Sequence, residues 1–132
     1  MRIGADYYPE HWEKERWKTD AEMMVKANIK VIRIGEFAWS LYEPEEGKYE
    51  FDWMDEALDF FGKYGIKVVM CTPSATPPKW MIDKYPDILQ NDIHGNPKLF
   101  GTRKHYCFNS ETYREKTKKL NTLIAKRYAK HP

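Results

Sequence analysis

Glu36 stands between Gly35 and Phe37, with Trp39 close behind, where the apolar run Val31-Ile-Arg-Ile-Gly35 ends. The small residue before it permits close backbone approach, and the aromatic after it withholds water, an environment that raises a carboxyl pKa and suits binding or proton transfer. The competing use is a salt bridge or hydrogen bond that ties the loop down. Arg103, in Gly101-Thr-Arg-Lys-His-Tyr-Cys107, carries a planar fork of donors that fits a polyhydroxyl ligand or a carboxylate; it can equally tie down a loop carbonyl. Cys107, flanked by His105 and Tyr106, is either one ligand of a tetrahedral thiolate site whose other ligands lie elsewhere, or inert packing. No Cys-x-x-Cys or His-Glu-x-x-His completes a metal site, and no Gly-x-Gly-x-x-Gly or Gly-Lys-Ser/Thr cradles a phosphate. These residues describe a polar, aromatic-lined cleft but not a complete catalytic pair.

The elements that must hold them are legible in the hydrophobic pattern. The stretch Ile66 to Cys107 is central: Ile66-Lys-Val-Val-Met-Cys71 reads as a buried strand between Gly65 and Pro73. Thr72-Pro-Ser-Ala-Thr-Pro-Pro78 then forces a rigid irregular loop, since three prolines fix φ and remove donors. Beyond a short helix over Lys79 to Lys84, the chain stays irregular as far as Cys107, and a loop of that length is usually functional or disordered. Trp80, Tyr85, Phe100 and Tyr106 argue for order.

Upstream, Arg2 to Tyr8 predicts a first strand stopped by Pro9. A helix entered from Glu10 follows, with Trp17, Ala21, Met24, Val25 and Ile29 on one face and Asn28 as its stop. Val31 to Gly35 is the second strand, and the loop carrying Glu36, Phe37 and Trp39 closes at Pro44 and Gly47. Phe51, Met54, Leu58 and Phe61 line the next helix, entered through Asp52 as a cap and ended before Gly65. Asn109 or Ser110 caps a last helix, with Tyr113, Thr117, Leu120, Ile124 and Tyr128 in one stripe, running to His131-Pro132. Apolar strands alternating with amphipathic helices predict a parallel α/β sheet with right-handed crossovers, whose ligands gather at the strand carboxyl ends. Tyr7, Tyr8, Glu10 and His11 follow the first strand at that end, Glu36, Phe37 and Trp39 the second, and Thr72 to Trp80 and Arg103 to Cys107 the third.

At 132 residues the chain has the size of one domain. Its charges nearly cancel, to +2, so no global field recruits nucleic acid or an anionic membrane, and no apolar run is long enough to span a bilayer. A cytoplasmic protein with reduced thiols is expected, Cys71 and Cys107 being too few for a disulfide scaffold. Aromatics reach 15%, several at strand ends, where rings stack on the C–H faces of sugars or simply pack. Arg114, Lys116, Lys118, Lys119, Lys126, Arg127 and Lys130 give the last helix a basic face, either a solvated surface or an RNA contact.

The runs Tyr7-Tyr-Pro-Glu-His-Trp12, Val31-Ile-Arg-Ile-Gly-Glu-Phe-Ala-Trp-Ser40, Leu41-Tyr-Glu-Pro-Glu-Glu-Gly47, Thr72-Pro-Ser-Ala-Thr-Pro-Pro78 and Arg103-Lys-His-Tyr-Cys107 resemble, in this order, the opening of a glycoside hydrolase family 42 β-galactosidase. The resemblance implies a (β/α)8 TIM barrel, of which residues 1–132 supply the first three βα units, all belonging to the catalytic domain. It implies retaining hydrolysis of terminal β-galactosides by two glutamates. Both come later in the family, after strands four and seven, so the chain alone is expected to be inactive and Glu36 replaces neither. Arg103 matches the family's galactose-contacting arginine, and Glu36, Phe37 and Trp39 look like pocket-floor residues. Cys107 matches a cysteine that in several members binds zinc with a later Cys-x-Cys-x-x-Cys cluster, so the complete protein is expected to need no cofactor for chemistry but to hold a structural zinc. A galactoside partner follows, with no nucleic-acid or membrane partner. The open sheet and unpartnered helix faces also predict homo-oligomers. The competing expectation is a non-catalytic sugar-binding α/β module.

Overall fold

A computed structural model describes residues 3–102 and 104–131. In chain order the elements are β1 (Ile3–Asp6), α1 (Lys14–Lys26), β2 (Ile29–Ile34), α2 (Trp39–Tyr42), α3 (Asp52–Lys63), β3 (Lys67–Met70), α4 (Lys79–Lys84) and α5 (Glu111–Tyr128). The strands form one parallel sheet ordered β1-β2-β3. Gly4 lies opposite Val31, which lies opposite Lys67; Asp6, Arg33 and Val69 make the next row. Parallel neighbours require crossovers, and α1 and α3 supply them.

Period-two alternation sorts β2 cleanly. Ile32 and Ile34 are buried in a core with Trp17, Ala21 and Met24 of α1, Met54, Ala57, Leu58 and Phe61 of α3, and Leu120 and Ile124 of α5. Phe61 is edge-on to Tyr7 with centroids 5.3 Å apart, and burying a side chain of this size stabilises by about 1.5–3 kcal/mol. The opposite face of the sheet, Val31 and Arg33 with Lys67 and Val69, stays partly or wholly open. The expectation of buried strands therefore holds on one face of β2, while the other face stays open among the described residues.

Local corrections have local causes. Pro9–His11 forms its own 3-10 turn and Glu13 is extended, so α1 starts at Lys14 rather than near Glu10. Val25 is exposed rather than on the buried face, and Ile29 opens β2 instead of closing the helix. Asn28 stops the helix as expected, at φ 58, a left-handed backbone that asparagine tolerates. Asp52 is the first residue of α3 and makes no capping bond; Phe51 occupies the cap position. Asp52 still places negative charge at the positive end of the helix dipole. Ser110 does cap α5, its hydroxyl accepting from the Tyr113 amide at 3.2 Å.

The loop after α2 is held from outside by Glu46, whose carboxylate accepts from Lys84, Lys116 and the Tyr85 hydroxyl. Lys116 also sits 4.9 Å from the Tyr85 ring centroid, and Arg127 and Tyr128 reach back to Asp55 on α3. Part of the basic face of α5 is thus turned onto its own fold. Hydrogen bonding from Lys116, then Lys84, holds the Glu46 carboxyl down at about 2, from an ordinary 4.5. A depressed carboxyl stabilises fully above its unfolded pKa and loses that contribution as pH falls through the folded value. Glu46→Gln should therefore lower the denaturation midpoint at neutral pH and make no difference near pH 2; an equal loss at both would rule the ion network out.

Candidate functional site

The carboxyl ends of the three strands converge on one polar cluster. Arg33, the charged residue of an otherwise apolar strand end, donates to Glu36 Oε2 at 2.8 Å and reaches Asp6 Oδ1 at 3.4 Å. The Tyr8 hydroxyl donates to the same Glu36 oxygen at 3.4 Å. Glu36 is thereby aimed by a cation from its own strand and a phenol from the neighbouring one. The hydrogen bond to Glu36 raises the Arg33 guanidinium further above its usual range, and burial followed by the Glu36 charge raises the Tyr8 phenol. Burial likewise raises the Cys71 thiol at the end of β3.

An aromatic wall borders this cluster. Tyr8 stacks on Phe37 at 5.8 Å and 24°, and on His11 at 5.3 Å and 20°. The proline-rich loop after β3 locks onto it through Thr76, whose hydroxyl donates to the Phe37 carbonyl at 3.2 Å. The turn itself depends on Gly35, at φ +82, where a Cβ would lie 3.2 Å from Met54 Cε and 3.4 Å from the Tyr42 hydroxyl oxygen. A directed carboxylate with flanking donors and flat rings can hold a polyhydroxyl ligand by hydrogen bonds and C–H stacking.

The structure brings Glu36 and Phe37 to this mouth but turns Trp39 away from it. Trp39 is 0% exposed in α2, its indole N–H donating to Glu43 Oε2 at 3.0 Å. Glu43 is itself 2% exposed and accepts from the Gly47 amide at 2.8 Å, while its carbonyl takes the Trp80 indole N–H at 2.8 Å. Glu43 and Arg33 were not singled out from sequence. The signals are a charge inside an apolar strand and the spacing of Trp39, Glu43 and Gly47 at successive fours, which leaves Glu43 within reach of both of the others.

Arg103 lies outside the described residues. Cys107 is partly exposed and donates its amide to the Ile88 carbonyl at 2.7 Å. Neither Cys107 nor Cys71 is in a disulfide, and among the described residues no three His, Cys, Asp or Glu side chains are grouped to hold a metal ion. The described donor set therefore does not fit a zinc site on its own. Among the described residues no helix is long and apolar enough to cross a membrane.

A parallel βα frame with its polar cluster and aromatic wall at the strand carboxyl ends is the arrangement of a (β/α)8 barrel enzyme, which builds its site on that face. The sequence matches the glycoside hydrolase family 42 description, beta-galactosidase, over residues 6–132. It is 54% identical over 126 residues to a beta-galactosidase of Thermus thermophilus, covering 96% of this chain and 20% of that protein. It is 48% identical to Beta-galactosidase BgaH of Haloferax lucentense, covering 100% of this chain and again 20% of the relative. The backbone matches the polyextremophilic beta-galactosidase of the Antarctic haloarchaeon Halorubrum lacusprofundi at TM-score 0.95 and 45% identity, over 100% of this chain and 20% of that one. The chain belongs to glycoside hydrolase family 42. It spans about a fifth of the length of these relatives and corresponds to their N-terminal part, the first three βα units of the barrel.

Proposed function

We propose that these residues form part of the catalytic barrel of a retaining β-galactosidase acting on terminal β-D-galactosides. The family match across residues 6–132 carries this reading. The cluster at the mouth supports it: Glu36, fixed by Arg33 and Tyr8, and the Tyr8–Phe37 wall suit a sugar's hydroxyls and its C–H face. In this reading Arg103 contacts galactose, and Cys107 supplies one thiolate to a structural zinc whose remaining ligands lie outside these residues. Retaining hydrolysis needs an acid/base and a nucleophile about 5 Å apart. By resemblance both are absent from this stretch, so the 132 residues alone do not turn over. A reduced, cytoplasmic setting belongs to the same reading, supported by two cysteines without a disulfide.

The test compares two preparations, this chain and a parent-length protein, on a chromogenic β-galactoside. The parent-length protein should hydrolyse it with retention at the anomeric carbon, and the chain alone should not. In sedimentation the chain alone should associate, because Ile3, Trp12, Met23 and Val69 leave apolar surface open around the sheet and α1. Turnover by the isolated chain would overturn the assignment of the catalytic pair. Galactose binding without hydrolysis at parent length would favour the non-catalytic sugar-binding module instead.

A further inference from the structure

Phe37 reaches the aromatic wall from the turn over residues 35–38, whose closing bond, from the Ala38 amide to the Gly35 carbonyl, is long at 3.4 Å. A second hold comes from the loop after β3, where the Thr76 hydroxyl donates to the Phe37 carbonyl at 3.2 Å. Two residues upstream of Thr76, the Ser74 carbonyl accepts the Tyr113 hydroxyl of α5 at 2.8 Å. The chain between these two ties has little freedom. Pro73–Ala75 is a 3-10 turn, and Pro73 within it and Pro77 and Pro78 after it are buried, their φ fixed by their rings. Tyr113 is itself a fixed post, 5% exposed, stacked on Tyr106 at 4.3 Å and 20° and tilted against Trp39 at 6.3 Å.

We propose that Thr76 and Tyr113 are positioning residues for the galactoside, the two ends of a brace that runs from α5 through the proline-rich loop to Phe37. The inference deepens the proposed function and rests on its reading of the Tyr8–Phe37 wall as the seat of the sugar's C–H face. Thr76 acts on the peptide that carries the Phe37 ring. Tyr113 acts one step farther back, on the loop that carries Thr76. What the brace fixes is the angle of the ring, which lies 24° from the plane of Tyr8 at 5.8 Å. A flat ring loses much of its contact with a sugar face when it tilts, because dispersion attraction falls steeply once a gap of half an ångström or more opens. Each tie is a single hydroxyl, so removing that oxygen alone releases the loop and leaves the packing volume in place.

The test uses the parent-length protein, a chromogenic β-galactoside as substrate and galactose as competitive inhibitor. Thr76→Val should raise KM and the galactose Ki together by about two- to tenfold, the span that the net contribution of one neutral hydrogen bond allows. Its kcat should stay near wild type, the mark of lost binding rather than lost chemistry. Thr76→Ser keeps the hydroxyl and should restore both constants. Tyr113→Phe should raise the same two constants, and the double variant should rise no further than the worse single, because both substitutions release one loop. Phe37→Ala tests the reading underneath: if it leaves KM unchanged, the wall does not seat the sugar, and the proposal falls with that reading. If Phe37→Ala raises KM while Thr76→Val lowers only Tm, the wall stands and the brace is overturned. Failure of Thr76→Ser to restore KM, or single effects that multiply in the double variant, would overturn it equally. If Tyr113→Phe fails to fold, the contrast between valine and serine at position 76 still decides.

Discussion

Trp39→Ala is expected to be the most damaging single substitution in this stretch, costing about 3–5 kcal/mol as a buried large-to-small change. The indole is fully buried, tilted against Tyr113 at 6.3 Å, and donates to Glu43. Removing it leaves a cavity and also strips the buried Glu43 carboxylate of one donor, leaving it the Gly47 amide and the Tyr49 hydroxyl. The loop that ends at Gly47 carries Glu46, so the ties to Lys84 and Lys116 loosen with it. Trp39→Phe separates the two effects. It fills most of the volume and loses only the N–H, so about 1–3 kcal/mol should remain, the cost of an unmet buried acceptor. The measurement is thermal melting of parent-length variants alongside KM for a β-galactoside. Trp39→Phe should lower Tm with little change in KM, as befits a residue turned away from the mouth. An unchanged Tm with a raised KM would instead return Trp39 to the ligand pocket.

Gly35→Ala is expected to damage the site and the fold together. Position 35 has φ +82, a left-handed conformation that L side chains adopt at a cost of about 1–3 kcal/mol. The added methyl also approaches Met54 Cε at 3.2 Å and the Tyr42 hydroxyl at 3.4 Å, so relief requires the backbone to shift. The next residue is Glu36, whose hydrogen bond to Arg33 is set by this turn. A parent-length Gly35→Ala protein should melt several degrees lower and show a raised KM. A variant with wild-type KM would mean that the aim of Glu36 does not matter to substrate. Arg33→Met leaves the turn intact and removes only the cation beside Glu36; raised KM without the loss of Tm would place the effect in the electrostatic pairing.

Much of the frame was legible because the signals are local. Ile66-Lys-Val-Val-Met-Cys71 between Gly65 and Pro73 reads as a strand, and β3 is found within it; the stripe on α5 and its Ser110 cap are likewise present. Boundaries failed where two local preferences compete. Pro9 permits a short 3-10 turn that periodicity counts as helix, and of the five spaced positions Val25 alone turns to the exposed side. Asp52 has the chemistry of a cap, but the chain enters α3 one residue earlier.

The candidate site was legible as a place more than as an arrangement. Residue types at strand ends point to Glu36 and Phe37, and the motif runs from Tyr7 to Cys107 identify the family, because both are properties of the chain in order. The amino-acid sequence by itself thus determined the parallel βα frame, its family and the edge of the sheet where chemistry gathers. Tertiary structure alone decided that Arg33 and Tyr8 grip Glu36 and that Trp39 serves Glu43 in the core. The physical reason is that period and propensity follow neighbours along the chain, whereas pairing and burial follow neighbours in space. Residues 28 positions apart, such as Tyr8 and Glu36, become partners only when two strands lie side by side.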